Sequence, residues 1–311
     1  MKVAILDDYQ SVALRMADWS AVAAKAEITV FTDHLADPQA VVERLASFEV
    51  VCVMRERTPL PRDVLQRLPR LKLIASTGPR NASIDVKAAA ELGITVTATG
   101  YRSTPTIEFT WALILASVRP IVKENEALRQ GRWQTSLGEE LGGKTLGVLG
   151  LGNIGSRVAR IGRAFGMDVI AWSQNMTLEI AEAAGAKLVS KEELFRRADI
   201  VTIHLVLSRR TRGLVGAAEL GLMKPTARLI NTSRGPIVDE ASLIHVLRSR
   251  AIAAAAIDVF NEEPLPPEHP FRTLDNVLAT PHIGYVTEDL YRTFYGDVAS
   301  TISEWLDKNA Q

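Results

Sequence analysis

A chain of 311 residues and 34.0 kDa exceeds the usual domain of about 100–200 residues, so two domains are expected, and 47% apolar with 23% charged residues is the balance of a folded globular protein. Thirty-six Lys and Arg against 36 Asp and Glu leave no net charge, which argues against nucleic acid or an anionic membrane as the partner. One cysteine, Cys52, excludes an intrachain disulfide and a Cys-rich zinc site.

The opening Met1–Leu6 meets Asp7 and Asp8 too soon to form a signal-peptide core. No apolar run approaches the ~18 residues of a spanning helix, so a cytoplasmic protein is expected. In the first hundred residues, Val3–Leu6, Ile28–Phe31, Val50–Met54, Leu71–Ala75 and Ile94–Thr97 read as buried strands. Gln39–Ala46, Asp63–Arg67 and Ile84–Leu92 read as helices between them, the last stopped by Gly93. This alternation predicts a parallel sheet with helices on its faces. Pro105–Ser117 predicts a longer helix, with Thr104 as its cap and Pro105 in its first turn; Ile121–Gln130 predicts a second, set off by Pro120.

After Gly138–Lys144 the alternation resumes. Thr145–Leu149, Asp168–Trp172, Ile200–Leu205, Ala227–Asn231, Ala254–Val259 and Val277–Ala279 are the predicted strands. Helices are predicted at Ile154–Phe165, Leu178–Ala184, Lys191–Arg197, Ala217–Met223 and Glu240–Arg250, with capping signals at Ser190/Glu193 and Asp239. Six strands with intervening helices fill one doubly wound dinucleotide-binding domain. The tail beyond Pro281 is too short for a domain and is expected to return to the first. The expected division is 1–100 with 281–311, and 101–280.

Gly150-Leu151-Gly152-Asn153-Ile154-Gly155 lies between a predicted strand and a predicted helix. One glycine permits the tight turn, the second lets backbone approach a pyrophosphate, and the third lets helix and strand pack closely. A turn that binds nothing is the alternative, and the repeated β-α context favours dinucleotide binding. About 20 residues on, an acid would hold an NAD ribose. Trp172-Ser173-Gln174-Asn175 offers neither acid nor arginine, which leaves NAD and NADP undecided.

In open α/β sheets the ligand lies beyond the carboxyl ends of the strands. Three such ends carry polar groups: Asn231-Thr232-Ser233-Arg234-Gly235, Asp258 to Pro264, and Thr280-Pro281-His282-Ile283-Gly284. A cation, a carboxylate and an imidazole there suit proton transfer coupled to hydride transfer. Each also has a plainer reading, as a surface ion pair, a solvated loop acid or a satisfied buried histidine. His34, His204, His245 and His269 show no metal-ligand spacing, so no metal is expected.

The stretches GKTLGVLGLGNIGSRVARIGRAFGM, MKPTARLINTSRGPIVDEASL, AAIDVFNEEPLP and NVLATPHIGY resemble the D-isomer-specific 2-hydroxyacid dehydrogenase family, in order and spacing. The resemblance implies an α/β protein, with a doubly wound parallel-sheet (Rossmann) domain plus a flavodoxin-like α/β substrate domain. It implies reversible, NAD- or NADP-linked reduction of a 2-oxo acid to the D-2-hydroxy acid by a homodimer. The family's catalytic set falls on Arg234, Glu263 and His282. Cofactor contacts fall on Gly150, Gly152, Asn153, Ile154, Gly155, Ser173, Thr232 and Asp258, the last facing the nicotinamide carboxamide. The resemblance also implies that Arg234 binds the substrate and that the helices of 105–130 with the Trp133 segment wrap the partner.

One stretch departs from the family. Its glycine-rich substrate loop, G-x-G-x-D-N-I-D, reads Gly78-Pro79-Arg80-Asn81-Ala82-Ser83-Ile84-Asp85 here. Gly78 and Arg80 are the expected substrate contacts, with the Arg80 guanidinium replacing backbone amides or else merely shaping the loop. A glyoxylate- or hydroxypyruvate-type substrate is the working choice. The rival is a dinucleotide-sensing scaffold of the corepressor type; a relative acting on formate or phosphite is not demanded by the Arg-Glu-His set.

Overall fold

The computed structural model describes residues 1–309. It divides into two compact units, one formed by Met1–Arg102 with the chain from Val286 onward, the other by Ser103–Tyr285.

The first unit is built on five parallel strands: β1 (Lys2–Ile5), β2 (Glu27–Val30), β3 (Val50–Val53), β4 (Leu73–Ser76) and β5 (Thr95–Thr97). Their order, β2-β1-β3-β4-β5, is the flavodoxin-like winding. Val3, Ile5, Val50, Val51, Val53, Leu73 and Ile74 are completely buried, which is why these strands read as unbroken apolar runs rather than alternating ones. The helix Glu288–Lys308 belongs to this unit and buries Leu290, Phe294, Val298, Ile302 and Leu306, a stripe at four-residue spacing. It packs on β4 and on two short helices, Ala13–Met16 and Ser20–Ala23. Those helices are absent from the sequence reading, being one turn each and too short to show a period. Asp8 starts the first, its carboxylate accepting from the amides of Val12 and Ala13 at 3.0 and 2.9 Å.

The second unit holds seven parallel strands: β6 (Thr145–Leu149), β7 (Asp168–Trp172), β8 (Lys187–Leu188), β9 (Ile200–Ile203), β10 (Arg228–Asn231), β11 (Ala254–Ile257) and β12 (Val277–Ala279). The order β12-β11-β10-β9-β6-β7-β8 reverses direction between β6 and β9, the doubly wound dinucleotide-binding arrangement. Six strands were expected. The seventh, β8, is a two-residue edge strand with too little apolar character to announce itself.

Two further expectations are corrected at element ends. The helix Thr104–Val118 is capped by Ser103, not Thr104, and Ser103 makes no side-chain cap bond. Its hydroxyl instead accepts from Asn153 Nδ2 at 3.1 Å, tying this helix to the start of another. β9 and β11 stop at Ile203 and Ile257, two residues short of the predicted ends, so Asp258 leaves the ladder at the strand's carboxyl end. The Ser190/Glu193 capping box is present, and Asp239 accepts from Ser242 N at 2.8 Å. Pro281–Tyr285 stays with the second unit because the buried Asp258 carboxylate binds the backbone of Ile283 and Gly284.

Candidate active site

The glycine turn follows β6 and opens the helix Asn153–Ala164. Each glycine meets a different constraint. Gly150 has φ +101°, and a Cβ on it would lie 2.7 Å from the His204 carbonyl oxygen. A Cβ on Gly155 would run into the Gly150 carbonyl, so helix and turn are in backbone contact there. At Gly152 a Cβ would meet nothing within 4 Å. That open space lies at the start of a 12-residue helix, whose first amides have no intrahelical acceptor. The cradle therefore has room for a pyrophosphate, which the amides of Asn153, Ile154 and Gly155 and the helix dipole would favour.

The polar cluster is assembled by β10, β11 and β12, which are neighbours in the sheet. After β12 the chain turns through His282, whose φ of +53° is one that non-glycine residues rarely adopt. Asp258, 1% exposed, grips this turn on both sides. Its Oδ1 accepts from Thr280 Oγ1 at 2.7 Å and Ile283 N at 2.9 Å, and its Oδ2 accepts from Gly284 N at 2.8 Å. Burial pushes the Asp258 carboxyl up, opposed by these donors and by the nearby His282. Asp258 thus holds the histidine turn in shape, a duty its expected contact with nicotinamide did not foretell.

His282 Nδ1 lies 2.6 Å from Glu263 Oε2, and Glu263 Oε1 accepts from Phe260 N at 2.9 Å. One carboxylate oxygen anchors the acid and the other orients the ring. With Nδ1–H given to the carboxylate, Nε2 is the nitrogen left to give or take a proton. The Tyr285 ring stands edge-on to the imidazole at 5.6 Å and 87°. Burial acts to raise the Glu263 carboxyl, but the hydrogen bond and charge of His282, the Phe260 amide and the charge of Arg234 outweigh it and hold the group below the ordinary carboxylate range.

Arg234 comes from the loop after β10. The Asn231 side chain shapes that loop, its Oδ1 accepting from Ser233 N and its Nδ2 donating to the Arg234 carbonyl, both at 3.0 Å. Arg234 Nη1 donates to the Ser233 carbonyl at 2.7 Å. Gly235 lies hard against the Phe260 backbone, where no Cβ fits, so the arginine loop and the Phe260–Glu263 segment are pressed together. Thr232 is buried, its hydroxyl 2.8 Å from that of Thr110.

Other histidines have other roles. Desolvation pushes His204 down to about 3, so it stays neutral beside Thr202 Oγ1 at 2.9 Å. His269 approaches Glu240 at 3.3 Å, but its second nitrogen accepts from Phe271 N, so both ring nitrogens are engaged. Among the described residues no group of three or more His, Cys, Asp or Glu is placed to hold a metal.

Gly78 and Arg80 lie in the first unit. Gly78 has φ +82°, and its amide donates to Thr99 Oγ1 at 2.7 Å, so this N–H is already committed. Arg80 is exposed. Arg55, which sequence reasoning passed over, lies against Gly78, with its Nη1 3.4 Å from the carbonyls of both Thr77 and Arg80. The signal was there: Arg55 follows a strand's carboxyl end, the rule applied only to the second half of the chain.

The model of the D-isomer specific 2-hydroxyacid dehydrogenase NAD-binding domain matches residues 111–284. The chain belongs to the D-isomer specific 2-hydroxyacid dehydrogenase family. It is 48% identical over 237 residues to a glyoxylate reductase of Aeropyrum pernix, covering 73% of this chain and 71% of that one. It is 41% identical over 260 residues to a D-3-phosphoglycerate dehydrogenase of Methanocaldococcus jannaschii, covering 82% of this chain and 49% of that enzyme. The crystal structure of a phosphoglycerate oxidoreductase from Vibrio cholerae superposes with a TM-score of 0.93 at 37% identity, over 99% of both chains. As a member of this 2-hydroxyacid dehydrogenase family, the chain is a nicotinamide-dinucleotide-dependent oxidoreductase acting on CH–OH donors, with the family's NAD-binding domain and its two parallel sheets.

Proposed function

We propose that the chain reduces a short 2-oxo acid of the glyoxylate or hydroxypyruvate type, with Arg234, Glu263 and His282 as its catalytic residues. The observation that carries this is the 2.6 Å His282–Glu263 bond on a turn clamped by Asp258, with Arg234 close enough to depress the carboxyl of Glu263. The bound dinucleotide supplies the hydride. His282 Nε2 gives its proton to the carbonyl oxygen as that oxygen gains charge, and Glu263 stabilises the imidazolium beforehand. Arg234 binds carboxylate and carbonyl oxygens with its planar fork. Gly150, Gly152, Asn153, Ile154, Gly155, Ser173, Thr232 and Asp258 are the proposed cofactor residues. With the Gly78 amide occupied, the Arg80 side chain is the proposed carboxylate contact of the Gly78–Asp85 loop. The dinucleotide-sensing scaffold is not favoured, since the relatives above are named as enzymes.

A spectrophotometric screen of glyoxylate, hydroxypyruvate, pyruvate and bulkier 2-oxo acids tests the substrate class. Glyoxylate or hydroxypyruvate is expected to give the highest kcat/KM. A bulkier acid turned over tenfold better would overturn the assignment.

The proposed assembly is a homodimer through the second unit. The support is an apolar surface on the helix Ile121–Arg129 and the segment after it, where Trp133 and Leu137 are 77% and 97% exposed. Burying one such side chain is worth about 1.5–3 kcal/mol, and a two-fold axis doubles the gain. Trp111 is not part of this surface: it is buried and stacks on Phe165 at 4.9 Å. Sedimentation equilibrium at micromolar concentration is expected to give twice the 34.0 kDa chain mass, and Trp133→Asp to shift it towards monomer. A 34.0 kDa species for the unaltered chain sinks the proposal. The single buried, free Cys52 fits the proposed reducing compartment, the cytoplasm.

A further inference from the structure

The residues after β7 carry no acid, and the structure shows what stands beside them. Gln174 Oε1 accepts a hydrogen bond from Arg210 Nε at 3.1 Å. Arg210 comes from the loop after β9, two strands away in the sheet, with β6 and its glycine turn between. That loop is a formed turn. Thr211 Oγ1 donates to the Val206 carbonyl at 2.7 Å and accepts from Ser208 N at 2.8 Å, and Arg212 N donates to the Ser208 carbonyl at 3.0 Å. It presents Arg209, Arg210 and Arg212, all exposed, with no Asp or Glu from Val206 to Arg212 or from Trp172 to Thr177.

In a doubly wound domain the end of the second strand faces the adenosine ribose, where a carboxylate selects the free 2′-hydroxyl and an arginine admits a 2′-phosphate. Here the carboxylate is missing, with Ser173 in its place, and a guanidinium reaches the position from another loop. The Nε–H of Arg210 is taken by Gln174, and no other partner of its guanidinium is found among the described residues. Both Nη groups therefore remain to meet a phosphate in the forked geometry that suits it.

We propose that the dinucleotide site takes the form phosphorylated at the adenosine 2′ position in preference to the unphosphorylated form, with Arg210 as the residue that sets the preference. Gln174 positions the guanidinium, Ser173 leaves room and a hydroxyl for the phosphate, and Arg209 and Arg212 add to the local positive field. The inference rests on the dinucleotide reading of Gly150–Gly155 and deepens it.

The test is direct binding: titration calorimetry of NADPH and NADH on the unaltered chain, on Arg210→Gln and on Ser173→Asp. The unaltered chain is expected to bind NADPH more tightly than NADH. Arg210→Gln should cut the NADPH-to-NADH affinity ratio on the order of tenfold to a hundredfold, as loss of a charge-assisted contact implies. Ser173→Asp should reverse the preference by repelling the phosphate. Raised salt should weaken NADPH more than NADH, since the extra contact is ionic. Tighter binding of NADH by the unaltered chain overturns the proposal, as does an affinity ratio unmoved by Arg210→Gln. Binding of neither dinucleotide overturns the cofactor reading itself, and this inference with it.

Discussion

His282→Ala is expected to lower turnover of the best 2-oxo acid on the order of 10²–10⁴-fold, the share of a positioned acid–base. Substrate binding should change far less, because Arg234 keeps its loop through Asn231 and Gly235. The left-handed φ of +53° at His282 strains alanine as it strains histidine. His282→Asn, a residue more tolerant of that conformation, is therefore the companion variant. Both should lose turnover alike if proton transfer is what is lost. Near-unaltered turnover in either folded variant refutes the proton-donor role.

The same pair sets the sign of the pH response. Reduction consumes the protonated ring, so its rate falls as pH rises. Oxidation needs the neutral ring and gains over the same interval. Glu263 stays ionised below the ordinary carboxylate range, so mild acid leaves the pair intact and reduction flat. Glu263→Gln removes the charge that favours the imidazolium, and should move the alkaline limb of reduction to lower pH. An unmoved limb would show that the 2.6 Å contact does not govern the proton.

The sequence made most of this arrangement legible because buried parallel strands leave unbroken β-branched runs and the glycine turn sits between two strong elements. What escaped it was small or lateral. The edge strand Lys187–Leu188 has two residues and no pattern, and the helix Ala13–Met16 depends on the carboxylate of Asp8. Arg234, Glu263 and His282 could be named because they lie beyond the ends of three strands and fall on the catalytic set that the family resemblance implies, but which residue clamps the His282 turn could not. Asp258 reaches across to Ile283 and Gly284, a contact 25 and 26 residues along the chain. Arg210 was invisible for the same reason: it is 36 residues from Gln174 and becomes its neighbour only through the strand order.

Gly152→Val should separate binding from folding, and Gly155→Val supplies the contrast. A side chain on Gly152 meets nothing within 4 Å, and its φ of −74° is open to any residue. The variant should therefore keep its melting temperature. The valine branches then stand where a pyrophosphate must approach the amides at the start of the helix Asn153–Ala164. Losing two charge-assisted hydrogen bonds of about 1.5–3 kcal/mol each predicts dinucleotide affinity lower on the order of 10²–10⁴-fold. At Gly155 the added carbon strikes the Gly150 carbonyl, a backbone group with nowhere to go. That overpacking costs about 1–3 kcal/mol or more, and a unit of this size loses roughly 2–4 °C of Tm for each kcal/mol. Calorimetric titration and thermal melts on the two variants decide the matter. If Gly152→Val stays folded and binds dinucleotide as tightly as the unaltered chain, the glycine turn is not the pyrophosphate site.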